Sequence, residues 1–127
     1  MVSIRTIAGA QLLLAVLVLG GVWLLLPARW VWVDLPATGL GVACLVAAFA
    51  LWRALPWAIR VARVVLWAEL VIGSLVCSLL AVSAAQLAGS YGPVGAGGAA
   101  LLITIAVLCL PYLIVFPALQ LRGLGQR

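Results

Sequence analysis

Glu69 is the residue best placed to do chemistry in this sequence. It is the one ionisable side chain well inside an apolar run, six positions after Arg63. A carboxylate at bilayer depth is stable only when it is paired, hydrated or protonated. It could carry a proton or bind a cation, or it could pair structurally with Arg53, Arg60 or Arg63, whose long side chains can reach along a helix. The residues leave both interpretations open, and we favour the structural pairing.

The spacing around Glu69 predicts which way it faces. Steps of four residues reach small side chains, namely Gly73, Cys77 and Ala81. Small residues at this spacing let helix backbones approach closely in a membrane. This face, with Glu69 on it, is therefore predicted to turn toward other helices. Small residues recur at the same spacing in an earlier apolar run and predict a second packing face: Gly39, Ala43 and Ala47.

The three cysteines could in principle supply thiolate ligands to a soft metal ion. Cys44, Cys77 and Cys109 fall in three separate apolar runs, however, with no close Cys pair and no histidine in the chain. Cysteine is also an ordinary small buried residue. We therefore expect no metal, no cofactor and no disulfide.

Catalysis has little support in the residues. The sequence contains no histidine and no paired carboxylates. Ser74, Ser78 and Ser83 lie in one apolar run without a nearby base, and we expect them to form hydrogen bonds between helices. The chain is therefore predicted not to be an enzyme.

Two prolines, Pro111 and Pro117, interrupt the last apolar run. Proline removes a backbone hydrogen bond and kinks a helix, which membrane helices tolerate when neighbours compensate. The pair could act as a hinge or as a fixed kink that fits a partner's surface, and we favour the fixed kink.

The composition identifies the elements that must position these residues. Hydrophobic residues make up 69% of the 127 residues and charged residues 7%, against about 25% charged in a soluble domain. This excludes a soluble globular fold and predicts an all-α integral membrane protein. The basic residues are seven scattered arginines without a cluster, so we expect no nucleic-acid partner.

Four apolar stretches are long enough, or nearly so, to cross the bilayer, which needs about 20 residues. The predicted spans cover residues 7–26, 36–53, 64–87 and 99–121, in a single four-helix domain over 1–127 with short loops. The first run exceeds the length of a signal-peptide core, so we expect it to be retained as an anchor. The glycine-rich stretch LAGSYGPVGAGG between the last two spans is predicted to be a flexible connection.

The arginines predict the orientation of these spans. Arg29 would lie alone on one side of the membrane, and six others would share the opposite side: Arg5, Arg53, Arg60, Arg63, Arg122 and Arg127. The positive-inside rule then places both termini in the cytoplasm. Six tryptophans fall near the predicted span ends, as expected for rings at the head-group level. The all-arginine basic set suggests a prokaryotic chain of the cytoplasmic (inner) membrane.

Two functions fit this sequence. The first is a small non-catalytic subunit or scaffold that packs through its small-residue faces into a larger complex or a parallel homo-oligomer. The second is an oligomeric transporter or channel that uses Glu69 for proton or cation coupling. Transport paths are usually lined by several polar residues, and their scarcity here favours the subunit. The predicted partners are the lipid bilayer, anionic lipid head groups, and other membrane subunits or a second copy of the chain.

Overall fold

The chain is helical throughout the part that the structure describes. The computed structural model describes residues 3–25 and 30–125, leaving Arg29 and Arg127 outside, and no strand occurs within these ranges. Helix α1 covers Ile4–Gly20 and continues as a π-helical turn over Gly21–Leu25; α2 covers Val31–Trp52; α3 covers Ala58–Leu110; a second π-helical turn covers Pro111–Val115; and α4 covers Phe116–Gly125.

Three helices in the described ranges are long and apolar enough to cross a membrane. They run over Ile4–Leu24, Val31–Trp52 and Ala58–Gly125. The first two agree with the predicted spans to within a few residues. The prediction of four separate helices does not match this count, because the third helix takes in both of the last two predicted spans.

The glycine-rich stretch before the last predicted span is not a loop in the structure. Its residues are helical, and non-helical backbone angles occur at Gly92 alone within α3 (φ 53°, ψ −132°). Glycine adopts positive φ without the steric penalty that a side chain incurs. Pro93 follows at once, and proline is well suited to the first turn of a new helical segment. The expected flexible connection is thus a one-residue break.

The structure divides into two compact units. The first unit comprises residues 1–68 and 120–127. Here α1 packs along α2 through two apolar clusters. One cluster includes Ile7, Leu51, Leu66 and Leu124. The other is built from small side chains, with Ala15 of α1 against Cys44 and Ala47 of α2.

The close approach between α1 and α2 occurs at Gly41. A Cβ atom there would lie 2.7 Å from Leu19 Cγ, whereas Gly39 has no atom within 4 Å of that position. Ala43 and Ala47 do belong to the α1–α2 contact. Within the chain the packing face of α2 therefore includes Gly41 and not Gly39, and a role for Gly39 toward a partner stays a prediction.

The second unit, Glu69–Leu119, is a helical hairpin. Gly98 approaches Leu87 near the Gly92 break, and Gly73 approaches Leu113 farther from it. Residues on the two sides of Gly92 therefore meet in reverse order, so the two arms of the unit run antiparallel.

Candidate functional site

Glu69 lies in α3 and is 2% exposed. Its neighbours on the predicted small-residue face become more accessible along the helix: Gly73 is buried, Cys77 is half-buried and Ala81 is exposed. The side chain of Glu69 thus faces protein, as the spacing indicated.

The arginines proposed as partners for Glu69 are all accessible. Arg53 follows the end of α2, while Arg60 and Arg63 lie in the first turns of α3, and all three are exposed. Their pairing with Glu69 stays a prediction.

Gly73 makes a close backbone contact with the last apolar run. A Cβ atom on Gly73 would lie 2.6 Å from the Leu113 carbonyl oxygen and 2.7 Å from Leu113 Cβ. Only a residue without a side chain fits at such a distance. Gly73 therefore lets the two arms meet backbone to backbone.

The two prolines explain why the backbone is unusual opposite Gly73. In an α-helix the N–H of residue 117 would donate to the Leu113 carbonyl, but Pro117 has no N–H. Between Pro111 and Val115 the helix widens to π geometry, and the Phe116 N–H donates to the Pro111 carbonyl. Pro111 thus begins the π-helical turn and Pro117 lies in the first turn of α4, and the fixed kink that we favour over a hinge stays a prediction.

A groove of about 450 Å³ runs along the hairpin of the second unit. One wall consists of small and polar residues, and the other is aliphatic. The first wall is formed by Ser74, Cys77, Ser78 and Ala81, and the second includes Ile103, Val107 and Ile114. Two of the residues predicted to pack against other helices, Cys77 and Ala81, therefore line an open groove.

Three hydroxyl groups in this unit donate within their own helices, which corrects the prediction of bonds between helices for Ser74 and Ser78, while that for Ser83 stays a prediction. Ser74 Oγ donates to the Leu70 carbonyl (2.7 Å), Ser78 Oγ to the Ser74 carbonyl (2.8 Å), and Thr104 Oγ1 to the Ala100 carbonyl (2.8 Å). In apolar surroundings a hydroxyl bonds the nearest acceptor, which is the carbonyl four residues back.

The burial of two glutamine side chains was not predicted from the sequence. Gln11 of α1 is 1% exposed and Gln120 of α4 is 3% exposed, and the Oε1 atom of each has no hydrogen-bond partner. Both lie one turn from residues of the same apolar cluster, Ile7 and Leu124. The burial of Gln120 could have been predicted from its spacing of four residues from Leu124, because residues four apart lie on the same face of a helix.

The cysteines are distributed over both units. Cys44 is buried in the first unit, while Cys77 and Cys109 are half-buried in the second, and none of the three forms a disulfide. No group of three or more His, Cys, Asp or Glu side chains suited to a metal ion occurs in residues 3–25 and 30–125.

Comparison of the chain with protein-family models, with curated proteins and with solved structures finds no match.

Proposed function

We propose that this chain is a small non-catalytic membrane subunit that packs through its second unit against other membrane helices. The proposal rests on one observation: few residues of the third membrane-compatible helix are buried by the rest of the chain. In its most apolar 18-residue stretch 6% of the residues are buried within the chain, against 28% and 33% for the first two helices. The second unit thus offers apolar helix surface that its own chain leaves open to lipid or to a partner.

The third helix is proposed to cross the bilayer twice, which makes four crossings in total. At 1.5 Å per residue, its 68 residues would extend about 100 Å if straight, against a hydrocarbon core of ~30 Å. The break at Gly92 divides it into two arms that are each long enough to span. From the arginine distribution we further propose that both termini lie in the cytoplasm of a prokaryotic cell and that Gly92 lies on the outer side.

Cysteine labelling tests this topology in a Cys44→Ser, Cys77→Ser, Cys109→Ser background. We expect Ser90→Cys to react with a membrane-impermeant maleimide in intact cells, and Arg60→Cys to react only after permeabilisation. Equal labelling of both sites from outside would contradict the proposed topology.

The groove of the second unit is the proposed seat of the partner helix. Its small wall lets a neighbouring backbone approach closely, and dispersion contacts from such an approach drive helix association in lipid. The partner is either a subunit of a larger complex or a second copy of this chain in parallel orientation.

Blocking the groove tests this seat. Ala81→Trp places a bulky ring in the groove, whereas Val82→Trp places the same ring on the neighbouring residue, which is exposed and does not line the groove. We expect Ala81→Trp to abolish co-purification of partner chains, or the homo-oligomer, in native mass spectrometry after gentle extraction. Retention of the assembly by Ala81→Trp, or its equal loss in Val82→Trp, would refute the groove as the interface.

A second function, an oligomeric transporter or channel, is supported by one observation: Glu69 is almost fully buried within an apolar helix. An intramembrane carboxylate inside protein is the usual mark of a proton or ion pathway. Glu69→Gln distinguishes the two functions. A coupling role predicts lost flux in proteoliposomes with assembly intact, and a pairing role predicts loosened assembly or lower abundance.

A further inference from the structure

A cleft of about 520 Å³ opens between α1 and α2 in the first unit. It is lined by Leu12, Leu45, Ala48, Phe49, Trp52 and Arg53. The walls are apolar except at one end, where α2 finishes at Trp52 and Arg53 caps it. From Arg53 to Leu45 the cleft follows α2 for about 12 Å at 1.5 Å per residue. Its shape is that of an apolar slot with one cationic mouth.

Arg53 is held at this mouth by its neighbour one turn back. The guanidinium carbon lies 5.2 Å from the centroid of the Phe49 ring, within the range of a cation–π contact. Asp34 lies in the first turn of α2, at the opposite end of that helix from Arg53. It accepts a hydrogen bond from the Trp30 N–H. A guanidinium presents planar, charged donors that match phosphate oxygens.

A second arginine borders the same tryptophan. Arg5, Ala8 and Trp52 line a neighbouring cavity of about 270 Å³. Trp52 is 71% exposed. Because it lines both cavities, it separates one that contains Arg53 from one that contains Arg5. Arg5 also lies in the first turn of α1, which Ser3 caps, so the positive end of the helix dipole adds to this charge.

We propose that this cleft is a binding site for an anionic glycerophospholipid. One acyl chain occupies the slot beside Leu12, Leu45 and Phe49. The head-group phosphate is bound by Arg53, with Arg5 as the second cation across the Trp52 ring. An apolar slot ending in cations at the level of an interfacial tryptophan is complementary to such a lipid in both polarity and charge. The site does not depend on the partner proposed for the second unit.

Lipid titration of the full chain in detergent, read by native mass spectrometry, tests the site. We expect phosphatidylglycerol to bind at least fivefold more tightly than phosphatidylcholine with the same acyl chains. Arg53→Gln should weaken phosphatidylglycerol binding about tenfold, the effect of losing a charge-assisted hydrogen bond. Arg60→Gln, which removes another exposed arginine outside the cleft, should have little effect.

A second pair of variants tests the apolar slot without changing charge. Leu12 lines the cleft and is 40% exposed, and Leu13 beside it is exposed but outside the cleft. Leu12→Trp should fill the slot and weaken binding, while Leu13→Trp should bind as the parent chain does.

Several results would overturn the proposal. Equal losses in Arg53→Gln and Arg60→Gln would mean that binding reflects general surface charge. A loss in only one of Arg53→Gln and Leu12→Trp would mean that head group and acyl chain are not held in one site. Equal affinity for the two lipids would remove the role of the arginines.

Discussion

Replacing Gly73 with alanine should separate the two arms of the hairpin. The new Cβ atom would lie 2.6 Å from the Leu113 carbonyl oxygen, and ordinary contact begins at 3.4 Å. The obstructing atoms belong to the backbone and to Leu113 Cβ, so no flexible side-chain end can move aside. The arms must therefore part by about 0.8 Å at this level.

The cost of this separation follows from dispersion and strain. A gap of 0.5–1 Å forfeits a quarter to a half of each contact's attraction, and overpacking in a close contact typically costs about 1–3 kcal/mol. We expect Gly73→Ala to lower the free energy of unfolding by about 2 kcal/mol, a change of roughly 30-fold in the equilibrium constant.

The assay is unfolding of the purified chain in mild detergent by increasing fractions of sodium dodecyl sulfate, followed by circular dichroism and tryptophan fluorescence. Gly89→Ala is the matched control, because Gly89 lies on the same arm and a Cβ atom added to it would have no neighbouring atom within 4 Å. Alanine there should be neutral or slightly stabilising, since it has the higher helix propensity. If Gly73→Ala unfolds at the same detergent fraction as Gly89→Ala, the close approach to Leu113 is refuted.

Four further substitutions can be measured in the same assay. Gly92→Ala should destabilise the chain by about 1–3 kcal/mol, because its φ of 53° strains any residue with a side chain; an unchanged midpoint would mean that the chain reverses elsewhere. Gly41→Ala should cost less than about 1 kcal/mol, since the atoms that its Cβ would meet belong to the flexible Leu19 side chain; a loss as large as that of Gly73→Ala would contradict this. Gln11→Leu should raise stability by about 1 kcal/mol, because it removes a buried acceptor without a partner; a clear loss would show that this amide binds something, and Gln120→Leu provides the parallel case.

Those properties of the protein that depend on neighbouring residues alone could be predicted from the sequence. Runs apolar and long enough to cross a membrane were predicted from the sequence, whose mean hydropathy is +1.41, because hydropathy is a local sum that does not depend on which residues meet. The direction of Glu69 also followed locally, since residues four apart share a helix face. The first two predicted spans, 7–26 and 36–53, overlap α1 and α2, because each is a long uninterrupted apolar run.

Only the tertiary structure decided where helices come into contact. Gly39 and Gly41 have the same local surroundings by composition, but only Gly41 faces α1, because a shift of two residues turns a side chain through about 200°. The glycines around Gly92 predict a loop, yet in the structure only Gly92 itself departs from helical backbone angles. The amides of Gln11 and Gln120 are likewise buried because the two ends of the chain pack in one unit, which the sequence does not reveal. A close approach between helices depends on both contacting surfaces, and these come from segments far apart in the sequence.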